Sequence, residues 1–375
     1  LSSCPVAMEA SKICDFYGSI DGNTVEQADA RQAYVQAKLG GNETWIEVPP
    51  ELRPESWAGF KRPVCRLMMA LYGHPDAGGY WEKHSFRIIK RAGFVPIDEW
   101  NSVFWNPKTK VLLVVYVDDL KVAGPVKAVS QTWKDLKDID LDPPTAVGRY
   151  LGCNHTREVT KNGTKMTYDM RDFMVACCER YTELSGGDVK FKPASTPFLQ
   201  EDSLKDDDFM APGQLSADAS KVLMKVLYAA RMARPDLLRA VCALASEVTR
   251  WNRACDKKLY RLMCYVHHTA DLVLEGFVGK DAKLGDVFQR LFADADWAGC
   301  KETARSTSGG FSCLESPGKS ETDRVFWPVA FKSAKQTCVS ASTPEAELVS
   351  ASTVLRSMGI PLMELLDTVC ERQVQ

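Results

Sequence analysis

The sequence predicts an α/β fold built from more than one body, and three observations carry that expectation. Strand-like and helix-like stretches alternate through all 375 residues. Val103-Phe104-Trp105, the turn Asn106-Pro107-Lys108-Thr109 and the continuous apolar run Val111 to Val117 form the clearest strand-turn-strand signal. Leu237, Val241, Leu244, Val248 and Trp251 recur in steps of four and three, which draws one apolar helix face.

The remaining elements follow in chain order. Residues 1–39 read as helical, then short and extended, and Trp45-Ile46-Glu47-Val48 reads as a strand inside a Gly- and Pro-rich loop. A helix is expected from Asp76 to Ala92. After Asp118-Asp119 interrupts the apolar run, Leu120 to Gly124 resumes strand character, giving strand, acidic tip, strand. Arg149 to Thr156 and Lys165 to Tyr168 are expected to form a hairpin across Asn162-Gly163, a strong turn dipeptide. The polar, locally acidic segment 191–214 reads as a linker. Pro235 and Asp236 suit the first turn of the helix carrying Leu237. Leu259, Leu262, Met263 and Val266 mark a second helix. Mixed α/β character returns from Gln289: a strand into Asp294, a turn at Ser308-Gly309-Gly310, a strand from Val325 to Phe331 and a helix from Thr343.

Composition is that of an ordinary globular chain, with 45% hydrophobic and 26% charged residues and a formal net charge of −2. That balance speaks against a simple DNA-binding domain, which is usually basic. Positive charge concentrates between Lys221 and His268, with ten Lys/Arg against three Asp/Glu. Two solvated helix faces would explain it, and so would a surface that contacts a duplex backbone. The 13 cysteines show no zinc-ligand spacing and an odd count, which suits reduced core thiols of an intracellular protein. No apolar run reaches membrane-spanning length.

Adjacent acids at the end of an apolar strand are costly to bury unless the turn is solvated or holds a cation. An isolated Asp-Asp pair is most simply an acidic β-turn. Tyr116-Val117-Asp118-Asp119, however, closes an apolar strand and follows Tyr, and it resembles the YxDD hairpin of reverse transcriptases. Asp29-Ala30-Arg31-Gln32-Ala33-Tyr34 resembles the first palm motif of copia-type enzymes. Cys65-Arg66-Leu67, Ala70-Leu71-Tyr72-Gly73 and Trp81 resemble their CRL, LYG and W block. His74-Pro75-Asp76 departs from the usual Leu-Lys-Gln, which puts that block's contact with nucleotide or template in question. Tyr150-Leu151-Gly152, Ser195-Thr196-Pro197 and Ala233-Arg234-Pro235-Asp236 are similar to later landmarks of the same family. Asp294-Ala295-Asp296-Trp297-Ala298-Gly299, Arg305-Ser306-Thr307-Ser308-Gly309, Lys332 to Gln336 and Ser342 to Glu347 are similar to its RNase H blocks.

The chain thus resembles the reverse transcriptase and RNase H region of a copia-type retrotransposon polyprotein, shortened at both ends. The resemblance implies fingers and palm over 1–190, the linker 191–214, a helical thumb or connection over 215–285 and an RNase H-like body over 286–375, short of its final acid. It implies RNA-directed DNA polymerisation by two-metal phosphoryl transfer, with Asp29, Asp118 and Asp119 holding Mg²⁺ or Mn²⁺. Asp294 and Glu347 would hold metal in the RNase H part. Tyr34 would lie under the incoming sugar and exclude a 2′-hydroxyl. Tyr72, Gly73, Asp76, Tyr116, Tyr150, Leu151 and Gly152 would line the substrate path. The implied partners are an RNA template, a DNA primer, an RNA–DNA hybrid, dNTPs and other polyprotein products (integrase, protease, capsid), without a membrane. The implied setting is intracellular, in cytoplasmic particles or the nucleus. The alternatives are an inactive element remnant and a host nucleic-acid-binding module with the same fold.

Overall fold

A computed structural model describes residues 7–200, 203–300, 302–318 and 320–371. The chain is a mixed α/β protein whose strand pairs all run antiparallel. It divides into two compact units. One comprises residues up to 18 and 22–146; the other comprises 19–21 and the chain from 147 onward. Among the described residues no helix is long and apolar enough to cross a membrane.

The first unit contains α1 (Met8–Ser19), β1 (Asn23–Asp29), α2 (Ala33–Gln36), β2 (Trp45–Glu47), β3 (Val64–Arg66) and α3 (Ala77–Arg91). It continues with β4 (Val95–Pro96), β5 (Val103–Asn106), β6 (Val111–Tyr116), β7 (Asp119–Pro125), α4 (Val126–Asp135) and β8 (Thr145–Ala146). Its main sheet has the order β4-β5-β6-β7-β1-β8, while β2 and β3 pair separately. Strands β5 and β6 are apolar on both faces because both faces are covered. Ile88 and Ile89 of α3 and Val129 of α4 join Phe104, Leu113, Val115, Leu120 and Val122 in one core. On the opposite face α1 buries Ala10, Ile13 and Phe16, and Tyr17 meets Trp105 edge-on.

One polar residue interrupts that apolar pattern. Lys121 of β7 points toward α1, where its Nζ donates to Ser11 Oγ at 2.9 Å and to both oxygens of Asp15 at 2.9 and 3.1 Å. Both charged side chains are fully buried. A buried ion pair tolerates the loss of neither partner alone, because the survivor keeps its desolvation cost without compensation.

The second unit contains β9 (Arg149–Tyr150), β10 (Cys153–Val159), β11 (Gly163–Asp169), α5 (Arg171–Leu184), α6 (Asp206–Met210), α7 (Ala219–Met232) and α8 (Leu238–Ala245). After α9 (Arg253–His268) come β12 (Leu274–Gly279), β13 (Phe288–Ala295), β14 (Thr307–Glu315), β15 (Val325–Lys335), α10 (Thr343–Val354) and α11 (Ile360–Cys370). Its seven strands form one sheet, ordered β13-β14-β15-β12-β11-β10-β9. Trp327, fully buried, lies over Gly276 of β12, where an added Cβ would sit 2.6 Å from the indole.

The two compact units divide at 146/147, and three local readings need revision. The hairpin β10–β11 pairs through β12 with β15, so it belongs to the same sheet as β13 to β15. The segment 191–214, whose residues 201 and 202 lie outside the described ones, is not a plain linker. It contains α6, and Asp208, 1% exposed, accepts from Arg253 at 2.8 Å and Lys257 at 2.6 Å. The apolar face drawn from Leu237 to Trp251 is not one helix: α8 ends at Ala245, and a 3₁₀ turn precedes Trp251. Gly309 and Gly310 lie inside β14, not in a turn. Val354 and Met358 pack where a side chain at Gly310 would stand, so the glycine serves helix-on-sheet packing.

Lys121→Met is expected to destabilise the first unit by about 3–5 kcal/mol in urea unfolding, whereas the double replacement Asp15→Leu with Lys121→Met recovers most of that loss. A single variant as stable as the parent would show that the pair is not a structural tie.

Candidate active site

Three acids meet where β1 ends and the β6–β7 hairpin turns. Asp29 and Asp119 are direct partners across the β1–β7 ladder, and Tyr116 pairs with Asp119 across the hairpin, leaving Val117-Asp118 as a two-residue turn. Such turns need positive φ, and Val117 supplies it at 57°. A β-branched residue is strained there and stays only if its surroundings hold it. Trp81 of α3 does so by donating its indole N–H to Val117 O at 2.6 Å. Two more backbone bonds close the tip: Ala30 N–H donates to Asp118 O at 2.8 Å, and Asp142 N–H donates to Asp29 O at 2.8 Å. Arg31 is held by Asp142 at 2.6 Å and Asp140 at 3.7 Å.

The electrostatics follow from this crowding. Burial pushes the Asp119 carboxyl up to about 7, and its hydrogen bond to Asp29 together with the charges of Asp29 and Asp118 adds to the rise. Lys121 pulls the other way. Carboxyl groups crowded in this way are oxygen donors that a divalent cation would satisfy. Among the described residues no group of three His, Cys, Asp or Glu side chains is placed to hold a metal ion. Asp29 and Asp119 supply oxygen donors of the kind magnesium takes, which water and ligand oxygens would have to complete.

Two aromatic side chains flank the acids. Tyr34 stands on α2, which Gln32 opens in the left-handed conformation at φ 46°. Its ring lies 4.6 Å from that of Tyr72, tilted 43°. Tyr72 is 55% exposed. Burial and the charge of Asp118 raise its hydroxyl pKa, which places that hydroxyl within reach of the acids' field. Gly73 follows at φ 90°. His74 Nδ1 accepts from Asp76 N–H at 3.2 Å, and Asp76 stands half-buried at the N-cap position of α3.

Tyr150, Leu151 and Gly152 belong to the second unit. Tyr150 is 1% exposed, its ring turned into the core against His155, and Leu151-Gly152 forms the β9–β10 turn with φ 50° and 74°. Tyr228 Oη donates to Leu151 O at 2.5 Å and fixes that turn.

In the same unit Asp294 is exposed on the edge strand β13. Ser350 Oγ donates to Asp294 O at 2.7 Å, which sets α10, and Glu347 one turn earlier, against that strand. Gln336 Nε2 holds the start of α10 through Ala346 O at 2.9 Å. Asp296 accepts from Thr307 N–H and pairs with Arg239 at 3.0 Å. The basic helices carry less free charge than the sequence suggests. Six of the ten cations between 221 and 268 sit in ion pairs: Lys221, Arg234, Arg239, Arg250, Arg253 and Lys257.

Sequence reasoning passed over Lys121, Asp15 and the Asp140/Asp142 pair. The signal for Lys121 was present: a lysine between Leu120 and Val122 in an otherwise apolar strand.

An antiparallel sheet thus presents three acids around a hairpin tip, beside the Tyr34–Tyr72 pair. No family model matches the chain. It is 25% identical over 346 residues to the retrovirus-related Pol polyprotein from transposon TNT 1-94 of Nicotiana tabacum, covering 89% of this chain and 24% of that protein. It is 23% identical over 342 residues to the retrovirus-related Pol polyprotein from transposon RE1 of Arabidopsis thaliana, covering 89% and 21%. The chain is thus similar to copia-type Pol polyproteins of plant transposons and spans under a quarter of the length of these two proteins.

The folded chain keeps the Asp119 proton up to about pH 7, whereas an unfolded carboxyl loses it near its ordinary 3.8. Stability is therefore expected to fall as pH rises between those values and to level off above them. In melting curves Asp119→Asn should flatten this slope, and Mn²⁺ should raise the wild-type midpoint more at pH 8 than at pH 5. Equal slopes in both proteins would place the proton elsewhere.

Proposed function

We propose that the first unit is the catalytic core of an RNA-directed DNA polymerase, working on an RNA template, a DNA primer and dNTPs. The observation that supports it most is the joining of Asp29, Asp118 and Asp119 at one tip by strand pairing, with the Asp119 carboxyl hydrogen-bonded to Asp29. A bound Mg²⁺ or Mn²⁺ pair would supply charge stabilisation for the attacking 3′-oxygen and the leaving pyrophosphate oxygen. Asp119, once it has lost its proton, and Asp29 would hold the cations from two strands, and Asp118, in the turn itself, would add the third carboxylate. The strained Val117, clamped by Trp81, keeps the tip from relaxing away from β1. Tyr34, backed by Tyr72, forms the wall a nucleotide sugar would meet, and a 2′-hydroxyl would crowd it.

For the second unit the proposal is an RNase H-like role toward an RNA–DNA hybrid, with Asp294 and Glu347 as the acids on facing elements. Other products of the polyprotein are the natural partners, in particles of the cytoplasm or in the nucleus.

The test is primer extension on an RNA template with dNTPs and Mg²⁺ or Mn²⁺, comparing the chain with Asp118→Asn. Extension by the parent and none by the variant is the expected result. No extension by either protein, with both folded, would favour the remnant or nucleic-acid-binding alternative. A Tyr34→Ala variant should extend with ribonucleotides that the parent rejects.

A further inference from the structure

A cleft of about 510 Å³ opens in the second unit where α5 and α9 both end, and it shares no residue with either set of acids. That volume is ordinary for a small-ligand site. One wall is a face of α5, on which Val175, Cys178, Glu179 and Glu183 recur at helical spacing. The other wall is aromatic. The chain reverses through Gly186 and Gly187 after α5, and Phe191 comes back to lie 6.3 Å from the ring of Tyr181 on that helix. Its ring stacks on that of His267, in the last turn of α9, at 4.6 Å and 16°. Beside Gly187 the cleft is open, since a Cβ there would meet nothing within 4 Å.

The lining is apolar except at one edge. Val175 is 45% exposed there, although water is a poor neighbour for its methyl groups. Burial pushes the Cys178 thiol up to about 12, so it offers a neutral, polarisable sulfur of the kind that packs against an aromatic ring. The exception is negative. Glu179 and Glu183 stand one turn apart on α5, a like-charge pair that weakens a helix. The last turn of α5 carries no basic residue, and the partial negative charge of the helix C-terminus adds to the field of the two acids. The C-terminus of α9 lies at the same cleft and contributes in the same sense. Arg180 answers Glu183 at 2.5 Å, whereas Glu179 enters no ion pair among the described residues. An apolar slot with carboxylates on one edge is complementary to a flat apolar ring that carries one positive charge.

We propose that this cleft binds a small aromatic amine, its ring held between Val175 and Phe191 and its ammonium group between Glu179 and Glu183. The site is independent of polymerisation and of hybrid cleavage, and it needs neither a metal ion nor a nucleic acid.

The experiment uses the full chain and three probes that share one ring system and differ in charge: 2-naphthylmethylamine, protonated at neutral pH, 2-naphthylmethanol and 2-naphthoate. Contact is read by saturation-transfer NMR, and affinity by titration of the ligand signals. The amine is expected to bind with a Kd of about 1 mM or tighter, the strength that a ligand of its size supports. The alcohol should bind roughly tenfold more weakly, and naphthoate should show no contact. The double variant Glu179→Gln with Glu183→Gln changes two exposed positions. It should lose about tenfold toward the amine and cease to distinguish amine from alcohol. Val175→Trp, which fills the cleft, should remove contact with all three probes; circular dichroism checks that each variant is folded. The proposal is overturned if the folded parent shows no contact with the amine, or if alcohol or naphthoate binds as tightly as the amine. A double carboxamide variant equal to the parent overturns it too, as does a folded Val175→Trp that still binds. Should Val175→Trp not fold, the carboxamide variant decides alone.

Discussion

Like charges do not gather unless something holds them, and in this protein the holding is done by the pairing of β1 with β7. That ladder sets Asp29 directly opposite Asp119, and a one-residue slip would send one of them to the other face. The register is protected on both sides of the sheet. Leu120 and Val122 are locked into the apolar core with α3 and α4, while Lys121, between them, is locked to Asp15 of α1. Burial and charge together make the register expensive to change. The raised Asp119 carboxyl is the electrostatic cost of the arrangement.

The hairpin tip shows the same logic at shorter range. Val117 would be easier to place as glycine, yet the bulkier residue is kept in a left-handed conformation by a hydrogen bond from a buried tryptophan. Trp81 therefore links α3 to the acids without touching them. This gives a physical role to a residue that the sequence marked only as the end of a motif block.

The strand elements of the first unit were legible because they are long, apolar and bounded by turn residues. Asp118 and Asp119 drew notice at the end of such a strand, but their grouping with Asp29 came from the resemblance to reverse-transcriptase motifs. Tyr72 beside Tyr34 and the Lys121–Asp15 pair were not legible, since both depend on contacts between residues far apart in sequence. In the second unit the errors have a common cause. Gly309-Gly310 carries a turn signature, but pairing on both sides turns it into a central strand, and tertiary packing overrides the local preference. The acidic run near Asp208 looked solvated because its partners, Arg253 and Lys257, lie some forty-five residues away in sequence.

The seven-stranded sheet has a bearing on how such a polyprotein is dissected. A nick anywhere between β11 and β12 would leave the two fragments clasped by six consecutive residue pairs, from Gly163 opposite Gly279 to Tyr168 opposite Leu274. Separating them would strip two interior strands of their neighbours and create a pair of bare edges, the kind of surface that seeks another strand. A cut there would thus leave a nicked body that stays whole.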